Sequence, residues 1–283
     1  MASSSVASPV SLLWAGLVVV VATALAITAM LLVRRKAPAG SYFEDGDRAA
    51  GVFGVLATGF AVLLGFVVFL AFTSYDTART GAESEARIVA QQVETAQFFP
   101  SPASEELTSE LICYARSVAR VQWDRMEAGT LGDDLNPWAT ELFQTLQTVD
   151  PQTPAEQAAF SKWLDERSAR EEARNDRIHG ARGVIPLPLW LVLFFTSALI
   201  FVYMLFFADS GEPRSVQALL MGTVMAVVVS MLLLLQFLNN PFHSSAGGLR
   251  PEAMERTLVI IDQELSAIQL HVQLPCDVRG NAL

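Results

Sequence analysis

The side chains with obvious chemistry are few: three histidines, two cysteines and the 29 acidic residues. His179, His243 and His271 stand apart, none with a second ligand at metal spacing, so each reads as a solvated or helix-end histidine. The chain has no glycine loop to cradle phosphate, no nucleophile elbow and no HExxH. No catalytic, metal or cofactor residue is therefore expected, and the chain does not read as an enzyme. A net charge of −10 removes nucleic acid as a partner, because no Lys/Arg stripe is available to follow a phosphate backbone. The charge run from Glu166 to Arg182 reads as a solvated helix carrying i,i+4 pairs.

The informative chemistry is apolar. Of the residues, 52% are hydrophobic, and the charges are segregated away from four long uncharged blocks. Ionisable groups inside such blocks would suggest a pump or a proton relay, and none is present. Their polar groups are hydroxyls and an amide, such as Thr58, Thr73, Thr223, Ser230 and Gln236. Small residues recur in four-residue steps, at Ala57, Ala61 and Gly65 and again at Ala218, Gly222, Ala226 and Ser230. Rows of this kind let helix backbones approach closely in lipid, within one chain or between subunits. The second block also carries Phe53, Phe60, Phe66, Phe69 and Phe72. Around an oligomer axis such rings form a constriction that gates by dewetting, with Phe60, Phe66, Phe69 and Thr73 as candidate pore-lining residues.

These residues require an all-α membrane protein with four transmembrane helices in two hairpins. Residues 1–11 are a short segment. The first hairpin (12–75) has spans 12–33 and 51–75, and the second (184–238) has spans 184–208 and 216–238. The first block lacks a positive n-region and exceeds a typical signal-peptide core, so it reads as an uncleaved span. A helical soluble domain occupies 76–183, and a tail at 239–283 packs on it. The second block carries no charge for about 25 residues, enough to cross the hydrocarbon. It changes composition at Asp76 with no helix breaker, which predicts one long helix from Gly51 to about Gln97. In the soluble domain Ser101-Pro102 is read as a helix start, and Asn136-Pro137 as another. Thr153 to Glu156 is a capping box. Gly129 to Asp134 is a turn. The helix after the capping box packs Phe160, Trp163 and Leu164. After Pro251 a heptad seam runs Met254, Leu258, Ile261, Leu265, Ile268.

Four spans put both termini and the soluble domain on one side. The short hairpin loops hold Arg34, Arg35, Lys36, Arg48 and Arg214, against Arg250, Arg256 and Arg279 in the tail. That bias predicts cytoplasmic hairpin loops and an extracytoplasmic domain. Cys113 and Cys276 share the domain side. In an oxidising compartment they can pair and tie the tail to the domain; the alternative is two separate buried thiols.

The second span and its exit, AVLLGFVVFLAFTSYDTARTGAESEA from Ala61, and the stretch LLLLQFLNNPFHSSAGGLRPEAMERTL from Leu232 resemble bacterial bestrophin-like membrane proteins. Tyr75-Asp76, Glu85-Ala86 and Pro241-Phe242 are the matching points. Where the family pattern has Asp-Arg, this chain carries Asn239-Asn240. Bestrophins are pentameric anion channels lined by the second span, so the resemblance implies a homo-oligomeric anion channel in the cell membrane. It also implies a cytosolic domain, opposite to the loop-charge placement, which is kept here. The alternative is a non-conducting envelope scaffold or sensor whose outer helical domain binds an unidentified partner.

Overall fold

The computed structural model describes residues 9–130, 136–244 and 247–283. Each uncharged block is helical: α1 (Pro9–Arg34), the first part of α2 (Gly46–Ala96), α7 (Leu187–Phe206) and α8 (Arg214–Asn239). All four are long and apolar enough to cross a membrane. The second runs on without a break for 51 residues, so one rod carries both a lipid-type and a water-type sequence. It starts at Gly46, five residues before the expected Gly51, and the Asp45 side chain caps it by accepting from Arg48 N at 3.0 Å. The third helix starts later than the expected span. Pro186 is extended there and serves as the cap, leaving Pro188 in the first turn.

The chain divides into two compact units. The first holds the two hairpins. There α1 lies along α8, and Gly222 permits the approach: a Cβ on it would sit 3.1 Å from Ile27 Cδ1. The two short loops are bonded to each other. Arg34 donates to the carbonyls of Ser210 and Glu212, and Asp209 Oδ1 accepts from Gly40 N at 3.0 Å. Beside them Phe43, Phe53, Tyr203 and Phe207 form a ring cluster with centroids 4.9–6.1 Å apart.

The second unit holds the remainder of α2 with α3 (Ala103–Ser117), α4 (Trp123–Glu127), α5 (Pro137–Thr148), α6 (Pro154–His179) and α9 (Glu252–Ala267). A π-helical turn, Val118–Gln122, joins α3 to α4. Its core packs Val89 and Val93 against Leu107, Leu111 and Tyr114, with Trp138, Leu146, Trp163, Met254 and Ile261 closing it. Asn136 caps α5 by accepting from Trp138 N, and Thr153 with Glu156 forms the capping box of α6.

Four local expectations are corrected. α3 starts at Ala103 with Pro102 rather than Ser101 at the N-cap position and no side chain capping it, and the Ser101 hydroxyl donates to Glu105 instead. Ile268 leaves the α9 seam because the helix ends at Ala267 and Gln269 turns to positive φ, exposing it. Leu164 is exposed, one position off the buried face set by Trp163. The run Glu166 to Arg182 is not a solvated face: Glu166, Arg170, Arg174 and Arg177 are buried. Of the turn expected over Gly129 to Asp134, only Gly129 and Thr130 lie among the described residues, Gly129 at φ 65°.

Candidate functional site

In an α-helix, positions nine apart point in opposite directions, whereas positions three, four and seven apart share a face. That rule divides the candidate residues of α2. Phe66 and Phe69 are 61% and 63% exposed, and they lie on one face with Val55, Val62 and Thr73, which are exposed too. The Thr73 hydroxyl donates to the Phe69 carbonyl at 3.0 Å, so its methyl is what this face presents. Phe60 does not join them. It is only 7% exposed and turned into its own bundle. Phe53 is likewise turned inward and stacks on Tyr203 at 5.9 Å. Of the four candidate pore-lining residues, Phe66, Phe69 and Thr73 therefore share one exposed face and Phe60 lies on another.

The small-residue rows go to different places. Gly222 is buried against α1, Ala218 and Ala226 are half-buried beside it, and Ser230 is exposed. Ala57, Ala61 and Gly65 line an open apolar groove bounded also by Ile200 of α7 and by Val227 and Met231 of α8.

In the helical unit a buried ionic cluster stands where a solvated face was expected. Gly81 lets α2 and α6 meet at backbone distance, since a Cβ there would be 2.7 Å from Ala173 O and Arg177 N. That approach places Arg177 against Glu85, both 0% exposed. Arg177 Nε donates to Glu85 Oε2 at 2.5 Å and Nη2 to Oε1 at 3.1 Å, a bidentate pair. Nη2 also reaches Gln122 Oε1 at 2.9 Å, and the Tyr114 hydroxyl donates to Glu85 Oε1 at 2.6 Å. Two helical turns along, Arg170 donates to Gln92 Oε1 at 2.9 Å and lies 4.6 Å over the Tyr114 ring. Thr95 donates to Glu166 at 3.2 Å. Burial lowers the Arg177 pKa, but the Glu85 carboxylate more than offsets this and the net shift is upward. The Tyr114 phenol is raised by burial and then by Glu85, so it stays protonated as a donor. Glu85, Arg177 and Tyr114 are fully enclosed and bonded to one another, while Gln92 Nε2, Glu166 Oε2 and Arg170 Nε are buried without a hydrogen-bond partner; the arrangement ties α2, α3 and α6 together.

A second carboxylate is less well satisfied. Glu110 on α3 accepts from Thr145 of α5 at 2.7 Å through Oε1, while its buried Oε2 has no partner. Burial raises its pKa to about 7, with Glu141 and Glu106 adding to the rise against the Thr145 hydrogen bond.

Cys113 of α3 and Cys276 of the tail are joined by a disulfide, Cα–Cα 5.8 Å. The tail end then folds as a hook. Gly280, at φ 84°, lies against the backbone of Cys113 and Ser117, where a Cβ would clash, and its carbonyl accepts from Trp138 Nε1 at 2.7 Å. Arg116 donates to the Asp277 carbonyl at 3.2 Å. The Asp277 side chain is held below the usual carboxylate range by the Asn281 side chain and by backbone N–H groups. Among the described residues, no three His, Cys, Asp or Glu side chains converge at metal-binding distance.

Residues 17–247 match the Bestrophin-like domain family. The chain belongs to that family. No curated protein matches it. A solved bacterial bestrophin homologue from Klebsiella pneumoniae, a point variant, shares the fold at TM-score 0.65 and 15% identity, over 86% of this chain and 98% of its own. A second solved structure, described as a membrane protein, gives 0.63 and 15% over 90% of this chain and 99% of its own. A third with the same description gives 0.60 and 14% over 92% and 99%. Identities this low speak to the fold alone.

The bestrophin-like signature positions have physical counterparts. Glu85, one of the matching points, is the carboxylate of the buried cluster. Asn239 Oδ1 accepts from Val184 N and Ile185 N at 2.9 and 3.0 Å, a role that an amide oxygen fills as well as a carboxylate. Phe242 is buried edge-on against Trp123 at 5.3 Å. Arg170, Arg174 and Arg177 are the residues the sequence reading missed. Arginine at i, i+4, i+7 in a chain with only two lysines was the available signal, because arginine is the cation that tolerates burial in bidentate pairs.

Proposed function

We propose that this chain is one subunit of a homo-oligomeric anion channel in which the α2 helices surround the path. The supporting observation is the face of α2 carrying Val62, Phe66, Phe69 and Thr73. It is apolar, open and unpartnered within its own chain, while the opposite face packs inward. Family membership supports an anion as the permeant species. In this reading Phe66 and Phe69 form a neck that closes by dewetting, and Thr73 lies at its end nearest the charged exit at Asp76.

The helical domain lies outside the cytoplasm in this reading. The Cys113–Cys276 pair supports this, since such a bond persists in an oxidising compartment, and so does the cation bias of the hairpin loops.

Purified oligomer in liposomes is expected to pass halide, and Phe66→Ser or Phe69→Ser to raise the passive leak by removing the dewetting barrier. No flux from an oligomer of verified stoichiometry would overturn the proposal. One observation favours a second reading, a non-conducting envelope sensor. The helical unit carries a groove of about 480 Å³ lined by Ile112, Arg116, Asp262 and His271. Capture of one stoichiometric partner, together with absence of flux, would establish that reading instead.

A further inference from the structure

Dewetting by Phe66, Phe69 and the Thr73 methyl opposes either sign of ion alike, because none of these groups carries a net charge. Preference for one sign has to come from charges close to that face, and α2 offers few. The helix is unbroken from Gly46 to Ala96, so axial distances along it follow from a rise of about 1.5 Å per residue. Between Arg48 and Asp76 it carries no acidic or basic side chain. Asp76 lies three residues past Thr73 and seven past Phe69, about 4.5 and 10 Å along the axis. Seven residues are close to two full turns, so Asp76 shares the Phe69 face, and it is exposed there.

The other charges of α2 are farther off. Arg79 lies about 9 Å beyond Thr73. Its Nε is given to Glu83 Oε1 at 3.1 Å, so the two charges offset one another. Arg87 and Glu94, both exposed, lie about 21 and 31 Å beyond Thr73. In the other direction Arg48 is about 27 Å before Phe66. An exposed charge acts over about 8 Å at physiological ionic strength. Of the charges on α2, Asp76 alone falls within that distance of Thr73. We infer that Asp76 sets the charge preference at the mouth of the Phe66 and Phe69 neck. This inference rests on the reading above in which α2 helices surround the path. Each copy then contributes one carboxylate to a ring, which repels an anion arriving from the domain side and draws in a cation. Asp76 thereby holds halide conductance and halide selectivity below what the uncharged neck itself would allow.

The test uses full-length oligomer in planar bilayers under a KCl gradient. Conductance and reversal potential are read first near about 0.15 M and then near about 1 M salt, where the screening length shrinks to about 3 Å. Asp76→Asn should move the reversal potential toward the chloride equilibrium value and raise chloride conductance about twofold or more at the lower salt. Asp76→Lys should do both further. The effects should shrink at the higher salt, a dependence that a purely structural role would not produce. Asp76→Glu keeps the charge and should behave as wild type. Glu94→Gln removes an equal charge about 27 Å farther along and should leave the reversal potential unchanged. Circular dichroism and oligomer mass confirm that each variant is folded and assembled. A conducting Asp76→Asn channel with the wild-type reversal potential at the lower salt overturns the inference and leaves the channel reading intact. An equal shift in Glu94→Gln does the same. A wild-type oligomer of verified stoichiometry that passes no current overturns the channel reading itself, and this inference with it.

Discussion

Replacing Arg177 by Met isolates the contribution of the buried cluster. Glu85 and Arg177 are both 0% exposed, so the variant leaves a carboxylate in the interior with only the Tyr114 hydroxyl donating to it. Breaking one side of such a pair costs about 3–5 kcal/mol, most of it the desolvated charge left behind. For a chain of this size that corresponds to a fall in melting midpoint of roughly 6–20 °C. The double variant Glu85→Met with Arg177→Met removes both charges and fills their volume. Its remaining penalty is the loss of partners for Tyr114 and Gln122, about 1–3 kcal/mol. The double variant should therefore be more stable than Arg177→Met alone, a coupling of opposite sign to simple additivity. Thermal unfolding followed by circular dichroism in one detergent, for wild type, both single variants and the double, closes the cycle. A single variant within about 1 kcal/mol of wild type, or a double variant whose loss is the sum of the singles, refutes the argument that this pair is a desolvated, obligatory unit.

Two further outcomes follow from the helical unit. The Glu110 carboxyl has a folded pKa of about 7 against an ordinary value of 4.5, so the folded state holds an extra proton between those values. Stability should be greatest at and below about pH 4.5 as far as this group is concerned, fall as pH rises to about 7, and stay at the lower level above it. Glu110→Gln should flatten that segment of the melting profile; an unchanged profile removes Glu110 as its source. Peptide mapping without reductant should recover Cys113 and Cys276 linked, and Cys276→Ser should expose the tail beyond Leu274 to protease at low enzyme concentration. A tail equally resistant in the variant would show that the Gly280 hook and the Arg279–Asp124 ion pair hold it without the bridge.

What the sequence disclosed and what it hid divide along a physical line. Long uncharged runs and local caps are one-dimensional signals. The four spans, the unbroken α2 and the caps at Asn136 and Thr153 were accordingly legible from residue order. The Cys113–Cys276 link was accessible because topology alone placed both thiols on one side. The α6 cluster was not, because charge density reads as solvation unless the partners are known. Here they lie 71 to 92 positions away, at Thr95, Gln92 and Glu85. Phe60 was grouped with Phe66 and Phe69 by residue type, although nine positions separate it from Phe69. Helical phase then turns it to the other side. Ile268 fits the heptad spacing of α9 but lies one residue past its end, and periodicity carries no information about where a helix stops.

The central claim is that the path runs along the Phe66, Phe69 and Thr73 face of α2. Single-cysteine substitution tests it directly, because both native cysteines are occupied in the disulfide and give no background reaction. In planar bilayers, Phe66→Cys and Phe69→Cys channels should lose halide current on exposure to a charged methanethiosulfonate, and Phe60→Cys should not. Equal modification of Phe60→Cys, or no effect at Phe66 and Phe69 in a conducting oligomer, would contradict the account.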